Sequence, residues 1–228
     1  MRTQIKVLAE ELLIRNGYRG MSFGIIAAKL KMTRANIHYH FGNKSSLVEE
    51  IIEDYVRTTL EGLRGIWAAA DLSFTEKIAL MTEHSRRRYL KYNPPGKKGR
   101  PWSLIARMRQ DSECLTPNGR ISLQRFGKDL NSYITVAIET AKAKGEFVDT
   151  MPTEDVALQL VSIANSAAPI TQDAGDFERL EQLYAGFTRI ISVAFGTPET
   201  QKRSASSAVA LTASRPLGSP ASPSTRAS

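Results

Sequence analysis

Apolar residues recur at helical spacing along most of this 228-residue chain. Near the N-terminus they occupy positions i, i+3, i+4, i+7 and i+8, at Ile5, Leu8, Ala9, Leu12 and Leu13. That spacing places all five on one face of a helix. Longer helices are expected at five further places, over about 44–63, 74–92, 118–144, 153–168 and 177–195. No stretch of useful length alternates polar and apolar residues as a strand does, so the sequence predicts an all-α fold.

Glycine and proline predict where these helices begin and end. Gly17 is expected to end the first helix, with Tyr18-Arg19-Gly20 as a connector. Residues 93–99 contain two prolines and two glycines and are expected to form a loop. Pro101 suits the first turn of the helix that follows. Thr153 is expected to cap a later helix, which Pro169 should end.

Composition excludes several classes of protein. The single cysteine, Cys114, rules out an internal disulfide and a cysteine-based zinc site. The longest apolar runs are far shorter than the roughly 20 residues that span a bilayer, and the N-terminus does not resemble a secretory signal. Two of the three histidines, His38 and His40, would point about 200° apart on a helix, so no metal site is expected. The sequence predicts a cytoplasmic protein without a cofactor, and no catalytic motif indicates an enzyme.

Positive charge is concentrated in part of the chain. The net charge is +8, and the 37 residues from Leu12 to Val48 contain six basic residues but no aspartate or glutamate. Such a window avoids repelling a polyanion, and phosphate contact is the commonest reason for one. A chance run on a solvated surface is the alternative interpretation.

Two short helices within this window have the size of a helix-turn-helix. The first, Phe23–Leu30, is expected to be capped by Ser22, and the second, Arg34 to about His40, by Thr33. Five apolar positions would pack the two helices together, at Ile26, Ala27, Leu30, Ile37 and Phe41. The other faces of the second helix carry groups suited to base edges and phosphates, namely Arg34, Ala35, Asn36, His38, Tyr39 and His40.

The stretch from Phe23 to Leu47 resembles the signature of TetR/AcrR-type transcriptional regulators, and the similarity extends over about residues 3–55. The resemblance implies an all-α homodimer with an N-terminal DNA-binding module and a C-terminal domain for ligand binding and dimerisation. Most members of the family repress transcription and leave their operator when a small molecule binds.

The resemblance also implies roles for individual residues. Thr33 matches the residue that caps the recognition helix and often touches a phosphate, and Arg34, Ala35 and Asn36 match positions that face base edges. Ser22, the expected cap of the preceding helix, is also predicted to contact DNA. His38 matches a position that reaches bases or sugar, whereas Tyr39 and His40 match positions that contact the backbone. Lys44 matches a phosphate-binding lysine at a helix N-terminus. The chain departs from the family at His38, where a tyrosine is usual, and at Lys31, where a small residue is usual.

Three segments are expected along the chain. Residues 1–48 would form the DNA-binding domain, and residues 49–196 the ligand-binding and dimerisation domain. Residues 197–228 are rich in serine, alanine, proline and threonine, contain no aromatic residue, and are predicted to be a disordered tail. The homodimer is expected to form through the helices at about 153–168 and 177–195, whose apolar arcs are wider than one neighbouring helix covers. The alternative is that these arcs face their own core.

A second window without acidic residues spans residues 84–110 and contains nine basic residues. It predicts a site for an anionic or partly aromatic small molecule, formed by His84, Arg88, Tyr89, Trp102, Arg107 and Met108. The alternative is a solvated surface, because three consecutive arginines splay around a helix.

The sequence therefore predicts a repressor that binds a palindromic operator as a homodimer. Ligand binding would shift the long helix from Lys44 to about Leu63 and change the spacing of the two recognition helices. Two alternatives stay open. One is a regulator controlled by a protein partner without a small-molecule inducer, and the other is a helical carrier or enzyme.

Overall fold

A computed structural model describes residues 1–202 of the chain. Within these residues it contains nine α-helices, one 3₁₀ turn, Ser112–Cys114, and a short helical stretch at 198–202. The α-helices are α1 (Arg2–Gly20), α2 (Phe23–Leu30), α3 (Arg34–Phe41), α4 (Lys44–Ala68), α5 (Phe74–Tyr92), α6 (Leu104–Gln110), α7 (Pro117–Ala143), α8 (Thr153–Ala174) and α9 (Glu178–Phe195). The described part of the chain has no β-strand and only one isolated bridge, between Phe147 and Gly196. The predicted all-α fold is confirmed.

Helices α1 to α3 and the start of α4 share a small apolar core. Its central side chains are fully buried and come from all four helices: Ile5, Leu13, Ile26, Ile37 and Leu47. Three side chains cap the helices that follow turns, and two of them are the predicted caps. Ser22 accepts a hydrogen bond from Ile25 N, Thr33 from Asn36 N and Asn43 from Ser46 N. These caps fix where α2, α3 and α4 begin.

Helix α4 connects this module to the rest of the molecule. Its first turns bury Leu47 and Val48 in the N-terminal core, and its later turns bury Tyr55, Leu63 and Trp67. It packs more extensively on α7 than on any other described helix, and α8 lies between α7 and α9. Helix α4 extends five residues beyond its expected end at Leu63. A displacement within the C-terminal half can therefore reach the N-terminal module through one continuous helix.

Gly17 interrupts the first helix where an end was predicted. Its φ of 73° and ψ of −178° are not helical and suit only glycine. The following residues, Tyr18 to Gly20, form a further helical turn rather than an open connector. The prediction was therefore correct about the break and wrong about the connector.

Helix α8 differs from prediction at both ends. It continues through Pro169 and ends at Gly175, which has a φ of 76°. Proline removes one backbone donor, and the packing of α8 against α6, α7 and α9 holds the helix together despite that loss. Thr153 is not the cap, because it is the first helical residue and its hydroxyl donates to Glu139 instead.

Pro101 does not lie in the first turn of a helix. Helix α6 begins at Leu104, and Ser103 caps it by accepting a hydrogen bond from Ala106 N at 3.3 Å. The Trp102 indole donates to the Thr171 hydroxyl at 2.7 Å. This buried bond fixes the non-helical segment against α8.

The first six residues of the predicted tail are ordered. Thr197 donates from its backbone to the Glu146 carbonyl at 3.1 Å and from its hydroxyl to the Gly145 carbonyl at 2.9 Å. Residues 198–202 are helical. The remainder of the predicted tail, 203–228, lies outside the described residues.

Candidate DNA interface and ligand cavity

Helix α3 divides its residues between the core and solvent. Ile37 and Phe41 are buried against the module, as the helix-turn-helix pattern predicted. Arg34, Ala35 and Asn36 are exposed at the start of the helix. Tyr39 is 86% exposed one turn later. An exposed phenol of this size makes little contact with its own chain, so it is available to a partner.

The Arg34 side chain lies over the first turn of α2. A Cβ atom added at Gly24 would be 2.8 Å from an Arg34 guanidinium nitrogen, so the absence of a side chain at position 24 leaves the space that Arg34 occupies. The guanidinium therefore rests at the junction of α2 and α3.

His38 is exposed but tethered. Its Nδ1 lies 2.7 Å from the Gly42 carbonyl oxygen and therefore donates to it, because a carbonyl only accepts. Its ring meets Phe23 edge to face, with the ring centres 4.8 Å apart. His38 thus joins the end of α3 to α2, and in this state only Nε2 is left for another partner.

His40, Thr33 and Ser22 are also used within the module. The His40 ring lies between the rings of Tyr39 and Phe41, and the backbone carbonyl of His40 accepts a hydrogen bond from the Arg2 guanidinium. The hydroxyls of Thr33 and Ser22 cap helices. These residues orient α3 in the free protein, and their predicted DNA contacts stay predictions.

Lys44 lies at the first position of α4, with its ammonium 4.2 Å from the centre of the Tyr18 ring. The Tyr18 hydroxyl is 3.1 Å from that of Ser45. Burial lowers the pKa of Lys44, and the nearby Cys114 and Asp111 oppose that change. Lys44 therefore borders both the exposed face of the module and its junction with α6.

Two lysines next to α3 were not among the DNA-contact residues predicted from the sequence. Lys29 and Lys31 are exposed, and Lys31 has a φ of 54°, the left-handed conformation that the turn requires. Their charge was part of the acid-free window, which was the signal that could have identified them. Of the two glutamates that directly follow that window, Glu50 forms an ion pair with Arg2 at 2.5 Å.

A cavity of about 60 Å³ lies among α4, α5, α6, α7 and α8. Its walls are largely apolar and include Leu63, Met81, Trp102, Phe126 and Leu130. Six polar or charged side chains also line it: Thr59, His84, Ser85, Arg88, Ser103 and Asn165. One water needs about 10–15 Å³ of such space, so the cavity has room for a few waters or a small organic molecule.

The six residues predicted for ligand binding separate into three groups. His84, Arg88 and Trp102 line the cavity. Tyr89 and Met108 are buried in the surrounding core. Arg107 lies toward the end of α6, where its Nε is 3.8 Å from Asp111 Oδ2.

Arg88 and His84 give the cavity its polar character. Arg88 donates from Nη1 to the Thr59 hydroxyl at 3.0 Å, and its guanidinium carbon lies 4.1 Å from the centre of the Tyr55 ring. Burial lowers the pKa of His84, and the charges of Arg88 and Arg87 lower it further. The His84 imidazole is therefore neutral at pH 7, and its buried Nε2 has no hydrogen-bond partner among the described residues.

The far end of α6 meets the break in α1. Asp111 accepts a hydrogen bond from Tyr18 N at 2.8 Å. A Cβ atom at Gly17 would lie 2.5 Å from an Arg107 guanidinium nitrogen and 2.7 Å from Asp111 Oδ2, so only glycine leaves room for these side chains. Helix α6 thus borders the cavity with one part and the N-terminal module with another. Sequence reasoning missed this contact, because its partners are 93 residues apart.

No group of three or more histidine, cysteine, aspartate or glutamate residues in the described chain is arranged to hold a metal ion. No helix within residues 1–202 is long and apolar enough to cross a membrane.

Residues 6–51 match the sequence model of the family described as "Bacterial regulatory proteins, tetR family". A comparison with curated proteins found no match. The matched segment covers α1, α2, α3 and the start of α4, which form the N-terminal module described above.

Solved structures of several bacterial regulators share the fold. NemR from E. coli, in its reduced form, is 14% identical with a TM-score of 0.72, and the match covers 86% of this chain and 97% of that one. A TetR transcriptional regulator from Legionella pneumophila is 23% identical with a TM-score of 0.66, covering 82% and 95%. A protein described as a transcriptional regulator from Saccharomonospora viridis, solved in complex with choline, is 20% identical with a TM-score of 0.68, covering 86% and 97%.

At these identities the structural likenesses show the fold, and the family match rests on the N-terminal module. The sequence match is confined to the N-terminal module, whereas the structural matches extend over most of the chain. Residues 6–51 thus match the TetR family of bacterial regulatory proteins by sequence, and the described chain shares its fold with solved bacterial regulators, among them one described as a TetR transcriptional regulator.

Proposed function

We propose that this protein is a transcriptional repressor that binds a palindromic operator as a homodimer and is released when a small molecule enters the C-terminal cavity. The observation that carries the proposal is the exposed polar face of α3, which projects from a module whose sequence from Leu12 to Val48 contains no acidic residue. A helix presented in this way fits the major groove of DNA.

Base reading is assigned to Arg34 and Asn36. Both are exposed at the N-terminal end of α3, which is the part of a recognition helix that reaches base edges. Arginine pairs well with guanine, and asparagine with adenine, and each bidentate contact contributes about 1–3 kcal/mol of discrimination. Tyr39 lies on the same helix and is assigned to the sugar-phosphate backbone.

Phosphate contact is assigned to Lys44, Lys29 and Lys31. Lys44 occupies the N-terminal turn of α4, where backbone N–H groups also attract anions. The two other lysines are exposed beside the turn between α2 and α3. Such contacts add affinity without sequence preference and make binding sensitive to salt.

Dimerisation is assigned to α8 and α9. Leu183, Ile190 and Val193 on α9 are 36%, 68% and 75% exposed, although Leu180, Tyr184, Phe187 and Ile191 of the same helix face the core. Leu158 on α8 is 62% exposed. An apolar stripe that residues 1–202 leave uncovered favours a second copy over the alternative that the whole arc faces inward.

Ligand release is assigned to a movement of α6 and α4. Both helices line the cavity, and both also contact the DNA-reading module, α6 through Asp111 and α4 by continuity. The complex of the S. viridis protein with choline supports the idea that this fold accommodates small molecules. A ligand larger than the cavity would push these helices apart and change the spacing of the recognition helices.

Three substitutions test the DNA-reading part of the proposal. Asn36→Ala should relax base preference at one position by about 1–3 kcal/mol without changing stability. Lys44→Ala should weaken binding to all sequences alike and reduce the salt dependence, whereas Lys128→Ala, an exposed lysine on α7, should change neither. A change of base preference in Lys44→Ala would contradict the assigned roles.

The dimer is tested by sedimentation. Ile190→Glu places a charge on the uncovered stripe and should convert a dimer into a monomer. Ile121→Glu is the matched control, because Ile121 is 59% exposed but lies on α7. A wild-type protein that sediments as a monomer at micromolar concentration, or an Ile190→Glu variant that stays dimeric, would contradict the assignment.

A further inference from the structure

The charge balance around the cavity is incomplete. No aspartate or glutamate is among the described residues that line it. Arg88 lines this space, and within residues 1–202 the ion pairs formed by its neighbours Arg86 and Arg87 on α5 do not include Arg88. Its contacts are a neutral hydroxyl, Thr59, and an aromatic ring, Tyr55. A half-buried arginine without a carboxylate partner is a candidate anion-binding site, because a charge removed from water requires a compensating charge or hydrogen bonds.

The acidic residue that does act on Arg88 is a weak counter-charge. Glu10, on α1, interacts electrostatically with both Lys91 and Arg88 and is divided between them. Burial raises the pKa of its carboxyl, although the two cations oppose that change. Arg88 therefore gains only part of the compensation that a direct ion pair would give.

A second arginine, Arg109 on α6, is already hydrogen-bonded to neutral groups. Arg109 donates from Nη1 to Asn165 Oδ1 at 3.0 Å and from Nη2 to the Leu123 carbonyl at 3.4 Å. These contacts hold its guanidinium at the edge of the same region. Its positive charge adds to that of Arg88 and also favours an anion in the cavity.

His84 supplies a second polar contact beside Arg88. Its ring rests against Gly62 of α4, where an added Cβ would lie 3.2 Å from Cε1. Nε2 is buried without a partner among the described residues. A neutral imidazole can donate one hydrogen bond from this atom, and a carboxylate oxygen is a suitable acceptor.

We propose that the cavity binds a small monocarboxylate. The carboxylate of this ligand pairs with Arg88 and accepts a hydrogen bond from His84 Nε2, and its apolar part packs on Phe126 and Leu130. The inference rests on the proposed function only in placing the effector in this cavity. The volume of about 60 Å³ restricts the ligand to a few heavy atoms unless the walls move, which favours a short-chain or single-ring acid.

The test compares carboxylates with neutral amides of the same shape. Thermal unfolding and titration calorimetry of the full chain, without DNA, use butyrate and benzoate against butyramide and benzamide, with choline as the cationic probe. The carboxylates should raise the Tm of the wild-type protein, and the amides and choline should not. Equal stabilisation by amides, stabilisation by choline alone, or no stabilisation by any probe would overturn the proposal.

Two variants separate Arg88 from the general positive charge. Arg88→Gln should weaken carboxylate binding at least tenfold while keeping a donor for Thr59. Arg87→Gln is the matched control, because Arg87 is exposed on the same helix and pairs with Glu83 at 2.9 Å. Should Arg88→Gln not fold, Arg88→Lys keeps the charge but loses the planar fork and should bind several-fold more weakly. Unchanged affinity in whichever Arg88 variant folds would overturn the assignment.

These measurements do not depend on an operator, so the two proposals fail separately. Carboxylate binding that leaves DNA affinity unchanged would support the site and contradict ligand-driven release. Sequence-specific DNA binding by a protein that takes up no carboxylate would contradict the site and leave the repressor proposal standing.

Discussion

The backbone N–H of Tyr18 donates a hydrogen bond to Asp111 Oδ2 at 2.8 Å, which joins the N-terminal module to the end of α6. Tyr18 follows the break at Gly17, where the backbone donor has no helical partner, and Asp111 is the residue that closes α6. Since α6 also borders the cavity, this bond connects the two regions in addition to α4. Its loss should loosen the module without unfolding it.

Asp111→Ala should therefore speed hydrogen exchange at the Tyr18 amide and lower the free energy of unfolding by about 1–3 kcal/mol, the cost of removing a partly buried charged acceptor. Asp111→Asn keeps an acceptor and should have a smaller effect. Glu113→Ala is the control, because Glu113 is exposed and its ion pair with Arg19, at 3.7 Å, is long. Exchange at Tyr18 that is equally fast in the Glu113 variant would show that Asp111 has no special role.

Gly17→Ala should destabilise the protein by about 2 kcal/mol or more. The backbone at this position has a φ of 73° and a ψ of −178°, and an added Cβ would meet Arg107 and Asp111 within 2.7 Å. Gly65→Ala is the matched control, because Gly65 is an exposed helical residue with no atom within 4 Å of an added Cβ. That control should stabilise α4 by about 0.5–1 kcal/mol. Chemical denaturation measures both changes, and the same sign in both would contradict the structure at Gly17.

Lys31→Gly should stabilise the folded protein by up to about 1 kcal/mol. Lys31 holds the left-handed conformation at the end of α2, which is strained for a residue with a Cβ atom. Lys29→Gly, two residues earlier and within α2, should cost about 1 kcal/mol instead. The two variants remove the same charge, so any common loss of DNA affinity comes from charge and the opposite changes in stability come from the backbone.

Glu10→Gln should stabilise the protein at neutral pH. Burial raises the pKa of Glu10, so the folded state holds the carboxyl proton more tightly than the unfolded state does. The contribution of Glu10 to stability is therefore full at low pH and is lost as the pH rises above about 4.5 through the folded pKa. Denaturation curves of the variant and the wild type should nearly coincide near pH 4 and separate by pH 7.5, with the variant more stable.

Glu11→Gln is the control for this change, because 44% of the Glu11 side chain is exposed and it pairs with Arg15 at 2.8 Å. It should be neutral or slightly destabilising at pH 7.5, since exposed pairs contribute about 0–1 kcal/mol. A Glu10→Gln variant that is less stable than the wild type at pH 7.5 would mean that the attraction of Lys91 and Arg88 outweighs burial.

Local signals in the sequence predicted much of the N-terminal module. Ser22 and Thr33 cap α2 and α3 as expected, because a capping hydroxyl acts on a backbone group only three residues away. The sequence also predicted the exposure of Arg34 and Asn36 and the burial of Ile37, which follow from helical period alone. Their contacts with DNA stay predictions.

Features that depend on packing between distant segments were not predictable in this way. Pro169 was expected to end a helix, but the neighbours of α8 preserve it. Arg107 was grouped with Arg88 by charge, but the two side chains lie in different places. Arg88 lines the cavity, whereas Arg107 lies beside Asp111 at the end of α6. Tyr55 and Phe126 line the cavity from helices far apart in the chain, so no local pattern could bring them together.

The central claim, that α3 reads DNA sequence as part of a dimer, is tested most directly by selecting bound sequences from random duplex DNA at low and near-physiological salt. The account predicts a palindrome with half-sites about one helical turn apart, which is still recovered at the higher salt. Recovery of unpatterned sequences alone, with binding lost at the higher salt, would contradict it.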